Sequence, residues 1–177
     1  QPMRSRCGRY TVVFNGEIYN APSLRAAHSA ALGELRGTSD TEVLLELFAI
    51  LGPELFPQLR GMFAAAIWDE VQRELVIVRD AFGIKPLYIS RGRGHFSFAS
   101  QVRSLLASGL VSRDLDPGSR VAYSVWGHVP EPRTIFSRIE ALAPGAWART
   151  RPGGSLPDTP IQSGKALAGP GGATADI

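Results

Sequence analysis

An α+β layered domain is predicted by two observations. Helical patterning is concentrated before about residue 52, and short apolar or alternating segments separated by turn residues are concentrated between Gly61 and Ser100. This segregation of helices from strands argues for antiparallel sheets rather than an alternating parallel βαβ arrangement. A chain of 177 residues that is 44% hydrophobic and 20% charged suits one globular domain with a sizeable core.

Tyr10 to Phe14 is an apolar run rich in β-branched and aromatic residues, closed by Asn15-Gly16, and it reads as a buried strand ending in a turn. Asn20 to Arg36 has a helical pattern, with Pro22 near its start and Gly33 and Gly37 near its end. Ser39-Asp40-Thr41-Glu42 has the spacing of a capping box, and Val43, Leu44, Leu47, Phe48 and Leu51 follow on one helical face. Met62–Trp68, Glu74–Val78, Leu87–Ser90 and His95–Ala99 read as strands. Val102 to Ser108 reads as a short helix and Asp116 to Val129 is ambiguous. Ile139 to Arg149, with Pro144-Gly145, supplies one more turn and strand. The domain is bounded at residues 1–150, and residues 151–177 contain six glycines and four prolines. That composition predicts a disordered tail.

Composition argues against several function classes. The longest uninterrupted apolar run, Met62–Trp68, is far short of the ~20 residues that cross a bilayer, and no signal peptide opens the chain. A cytoplasmic protein without membrane contact is expected. One cysteine, Cys7, and three histidines (His28, His95, His128) without ligand spacing argue against a disulfide framework and a metal site. The net charge of +3 comes from scattered arginines, which argues against a nucleic-acid footprint. No G-x-S-x-G motif gathers Ser, His and Asp into a triad. The chain starts at Gln1, so a processed chain or a piece of a longer one is expected.

Several blocks then fall in a telling order. They are Gln1-Pro2-Met3; Gly8-Arg9-Tyr10 with FNGEIYN at Phe14–Asn20; Ser39-Asp40-Thr41-Glu42-Val43; Leu59–Phe63 with Ile67-Trp68-Asp69; RDAFGIKPLY at Arg79–Tyr88; and VPEPRTI at Val129–Ile135. Together they resemble the class II, N-terminal nucleophile glutamine amidotransferase domain of glutamine-hydrolysing asparagine synthetases, from Gln1 to about Gly145. The tail does not resemble the family's continuation, as a frameshift or truncated gene would leave it. The resemblance implies a four-layer α/β/β/α sandwich, here expected to be incomplete at both ends.

Hydrolysing the amide of glutamine takes a nucleophile, a base, oxyanion donors and charges that hold the amino-acid end. The resemblance assigns Asn15 and Gly16 to the oxyanion hole, and Asn15, Gly16, Glu17 and Asp40 to L-glutamine, with the Asp40 carboxylate meeting the α-ammonium group. Each has a plainer reading beside it: Asn-Gly as a tight turn, and Asp40 as an acid favoured in the first turn of a helix. RDAFGIKPLY is assigned no catalytic role; Gly83 and Pro86 read as backbone punctuation, and Phe82, Leu87 and Tyr88 as core.

In the family the nucleophile is a cysteine at the mature N-terminus whose free α-amino group is the base. Cys7-Gly8 imitates that pair, but Cys7 falls at a variable turn position, its nitrogen is acylated, and an ordinary thiol pKa near ~8.5 gives it no advantage. The catalytic cysteine and the arginine that grips the glutamine carboxylate are expected before Gln1. ATP and magnesium belong to a synthetase domain expected beyond Ile177, and no cofactor is expected in this chain. The chain alone is expected to be inactive, and self-association as a homodimer stays open. Two other readings are a glutamine-binding or partner-binding domain without catalysis, and an amidotransferase serving a different acceptor.

Overall fold

A computed structural model of the chain describes residues 1–92, 95–151 and 162–165. Strands β1 (Met3–Arg4) and β2 (Tyr10–Ile18) are followed by short helices α1 (Ala21–Ala27) and α2 (Ser29–Leu32) and the longer α3 (Asp40–Leu51). A 3₁₀ segment, Gly52–Gln58, leads into β3 (Gly61–Asp69), β4 (Glu74–Arg79), β5 (Tyr88–Gly92) and β6 (His95–Ala99). Helices α4 (Val102–Ala107) and α5 (Pro117–Trp126) precede β7 (Glu140–Ala141), β8 (Ala146–Thr150) and β9 (Gln162–Lys165). One sheet has the order β1-β2-β3-β4-β8-β9 and the other β6-β5-β7. The residue pairings between strands are antiparallel.

The period of two along the strands sorts side chains into layers. Val12, Phe14, Phe63, Ala65, Ile67, Val76 and Val78 of the large sheet pack with Val43, Leu44, Leu47 and Phe48 of α3. Their neighbours Ala64, Ala66, Ile77 and Ala148 point the other way, onto Ile89 and Phe98 of the small sheet and Leu87 just before it. The outer face of the small sheet is closed by Leu105 of α4 with Ile139, Tyr88 and Ala99. Helices, sheet, sheet and helix follow in order, which is the four-layer α/β/β/α sandwich. Because β3 is buried on both faces, its run is nearly unbroken in apolar residues. Among the described residues no helix is long and apolar enough to cross a membrane.

Several expectations need correction. Asn15-Gly16 is no turn: β2 runs on to Ile18, with Asn15 opposite Ala64 and Gly16 opposite Phe63. The glycine serves close backbone approach instead, since a Cβ on Gly16 would lie 2.0 Å from the Met62 carbonyl oxygen. The single helix expected over Asn20–Arg36 is two short pieces, broken at His28. Asp116, whose side chain accepts from the Ser119 N–H, caps α5 and resolves the ambiguous stretch as helical. Most of the tail lies outside the described residues. Gln162–Lys165, however, extends the large sheet along the open edge of β8, where unpaired backbone groups can recruit a strand whatever its side chains.

Candidate functional site

The site is built where the end of β2 meets the start of α3. Ser39 caps α3 by accepting from the Glu42 N–H at 3.2 Å, but only half of the capping box forms. The Glu42 carboxylate turns instead to the N–H groups of Arg36 and Gly37, both at 2.8 Å, and fixes the loop leading into the helix. Asp40 is thereby the first residue of α3, half-buried, and one carboxylate oxygen accepts from the Ile18 N–H at 2.9 Å. The other accepts from the Thr41 N–H at 2.7 Å and the Thr41 hydroxyl at 3.3 Å.

A cavity of about 620 Å³ opens beside this junction, lined by Gly16, Glu17, Tyr19, Arg25, Thr38 and Asp40 among others. Three of the four residues predicted for the site, Gly16, Glu17 and Asp40, therefore share one wall, although Asp40 is more than twenty positions along the chain. Asn15 borders a smaller cavity of about 160 Å³ between the two sheets, together with Gln1, Phe14, Ala64, Leu87 and Ser100. Its side-chain amide donates to the Ser100 hydroxyl at 3.2 Å. Neighbouring residues of an extended strand point to opposite faces, which is why Asn15 and Gly16 open onto different spaces.

Cys7 lies elsewhere. It is exposed in the turn between β1 and β2. The five residue steps along β2 from Tyr10 to Asn15 alone span roughly 17 Å at ~3.3 Å per residue. Its thiol is not ordinary: a hydrogen bond with the Ser5 hydroxyl at 3.3 Å, and a lesser one with the Arg9 backbone, hold its pKa below the usual value. Greater thiolate character does not bring the sulfur to the cavities. Replacing Cys7 by alanine is expected to leave the affinity for L-glutamine unchanged, and a several-fold loss in a titration would contradict this placement.

RDAFGIKPLY carries a dense hydrogen-bond network. The five N–H groups of buried Arg79 are all used, on the carbonyls of Lys85, Gly83 and Leu142 and on both oxygens of Glu131. Asp80, with no solvent exposure, accepts from the N–H groups of Phe63, Phe82, Ile84 and Lys85. Leu87 is core as predicted. Phe82 is not, being 82% exposed. Drawing the backbone of the loop in around Asp80 leaves that side chain facing outward.

The glutamine amidotransferase domain model matches residues 1–159. The chain belongs to the glutamine amidotransferase domain family. The match runs past the boundary expected at residue 150. A Mycobacterium tuberculosis protein named as a candidate asparagine synthetase (glutamine-hydrolysing) is 43% identical over 147 residues, covering 81% of this chain and 22% of the relative. Asparagine synthetase (glutamine-hydrolysing) 1 of Bacillus subtilis is 36% identical, covering 88% of this chain and 24% of its own length. Amidase chyE of Penicillium rubens is 31% identical, covering 86% and 22% respectively. The amidotransferase domain thus spans about a fifth to a quarter of the curated relatives it matches. Glutamine phosphoribosylpyrophosphate amidotransferase of B. subtilis superposes with a TM-score of 0.61 at 20% identity, over 96% of this chain and 32% of that one, and shares the fold.

Sequence reasoning missed Ser100, Arg25 and Thr38 as neighbours of the site. Arg25 and Thr38 had no local signal beyond standing near FNGEIYN and Ser39-Asp40. Ser100 had none, because it meets Asn15 across 85 positions and between two sheets.

Proposed function

We propose that this amidotransferase domain binds L-glutamine in the 620 Å³ cavity and serves an asparagine synthetase, in which ammonia from glutamine amidates aspartate at the expense of ATP. The observation that carries the reading is Asp40. A carboxylate has about four acceptor sites, and its contacts occupy three, leaving one directed to a further donor. No ion pair among the described residues involves it. A half-buried anion with a vacant acceptor site at the wall of a cavity is matched by the α-ammonium of an amino acid, through a charge-assisted hydrogen bond. Gly16 and Glu17 form the adjoining wall, and this reading takes the Gly16 N–H as one oxyanion donor and the Asn15 amide, from the neighbouring smaller cavity, as the other.

Hydrolysis is assigned to a cysteine other than Cys7. ATP, magnesium and the aspartate acceptor are assigned to further polypeptide of the kind that makes up the rest of the curated relatives, in a cytoplasmic setting, with no nucleic acid or membrane as partner. The 31% identity with an amidase favours a second reading, in which the same glutamine site feeds a different acceptor.

Calorimetric titration of the chain with L-glutamine tests the reading. Saturable binding is expected, weakened at least ~10-fold, or about 1.4 kcal/mol, by Asp40→Asn. The chain by itself is expected to release no ammonia above background. An affinity unaffected by Asp40→Asn, or a wild-type chain that takes up no glutamine, would remove the basis for the proposal.

A further inference from the structure

Oxyanion donors act through preorganisation, so whatever fixes the Asn15 amide matters as much as the amide itself. A primary amide carries two N–H groups on nitrogen and a carbonyl oxygen, and a rotation of 180° about its last torsion exchanges donor for acceptor. On an exposed strand position nothing in the strand itself selects between these states. Asn15 is exposed, and the one side-chain hydrogen bond described for it is the donation from Nδ2 to the Ser100 hydroxyl.

Ser100 is well placed for this. It directly follows β6, whose last residue Ala99 is paired with Tyr88, and it precedes α4. Val102 and Leu106 of α4 pack in the same apolar cluster as Tyr88 and Ala99, so the hydroxyl is carried by a short link anchored on both sides. Asn15 is carried by β2, which is zipped to β3 from Tyr10 to Ile18. Both residues line the cavity between the sheets.

We propose that Ser100 is a positioning residue, which takes one N–H of the Asn15 amide so that the other is held ready for the carbonyl oxygen of the substrate amide. This rests on the reading of Asn15 as an oxyanion donor. It makes the small sheet and α4, which contribute nothing to the wall of the larger cavity, a part of the catalytic framework. Ser100 does not touch the reacting atoms.

The test uses the ¹⁵N-labelled chain, with the Asn15 side-chain amide identified by its loss in Asn15→Ala. In Ser100→Ala the two amide proton resonances are expected to move toward those of a free amide, and in Ser100→Thr, which keeps the hydroxyl, to stay near their wild-type positions. Affinity for L-glutamine is expected to fall about five-fold in Ser100→Ala, the effect of one ordinary hydrogen bond, and to be restored in Ser100→Thr. Affinity for L-norleucine, which lacks the side-chain carbonyl, should not change. Amide resonances unmoved by Ser100→Ala would overturn the positioning role. A moved amide with glutamine binding indifferent to Asn15→Ala would instead overturn the oxyanion reading, and the proposal with it.

Discussion

Replacing Asp80 by alanine is expected to lower the stability of the chain by at least about 4 kcal/mol, which in a domain of ordinary stability, ~5–15 kcal/mol, removes much of the folded population. The carboxylate collects four backbone N–H groups at 2.9–3.2 Å in a site closed to water. Each buried donor left without a partner costs ~1–3 kcal/mol, and relaxation of the 82–85 loop recovers only part of that. Asparagine at this position is no remedy. Its NH₂ group would face two of the four donors, so Asp80→Asn is expected to lie closer to alanine than to wild type. Loosening the loop also releases carbonyls that satisfy Arg79, leaving a buried guanidinium under-bonded, so the damage spreads to Glu131 and Leu142. Urea unfolding of both variants measures this. A loss below ~1 kcal/mol would mean that water takes over from the carboxylate, contrary to its burial.

Gly16→Ala is expected to be nearly as severe, and to abolish glutamine binding with it. The added methyl would lie 2.0 Å from the Met62 oxygen and 2.6 Å from the Phe63 Cα. All of its closest contacts are backbone, so no side chain can swing aside, and β2 must part from β3 beside the larger cavity. The residue also has φ +139°, a conformation that L side chains rarely adopt. Gly127→Ala supplies a reference for a positive φ in open space. That glycine has φ +72° at the end of α5, with nothing within 4 Å of the position its Cβ would take, so it is expected to lose only the ~1 kcal/mol of a left-handed conformation. The difference between the two variants in thermal or urea unfolding gives the cost of the close approach together with that of a φ near +139° over one near +72°, expected at ~2 kcal/mol or more. Equal losses at both sites would refute that assignment.

Much of the architecture was legible in local pattern. The strands of the 61–99 region, α3 with Ser39 as its cap, and the split between helical and strand-forming parts follow from periodicity and capping chemistry, which act over a few residues. FNGEIYN and Ser39-Asp40, far apart in the chain, do lie together, since the carboxylate of Asp40 reaches the Ile18 N–H. Errors arose where a distant segment overrode a local preference. Asn-Gly favours a turn in isolation, but β3 offers a full set of backbone partners, and Gly61, whose own Cβ would lie 2.1 Å from the Glu17 oxygen, lets the strands close around it. Phe82 was read as core from its hydrophobicity, yet the carboxylate of Asp80 dictates the course of that loop.

What the sequence by itself determined was the family and its layered α+β fold, because motifs and apolar periods are properties of neighbouring residues. Only the tertiary structure decided which cavity each site residue faces, that Ser100 stands beside Asn15, and that Cys7 stands far from both. Those relations depend on strand register and on the packing of one sheet on another. They are set by the summed burial of the whole core rather than by any segment of the chain.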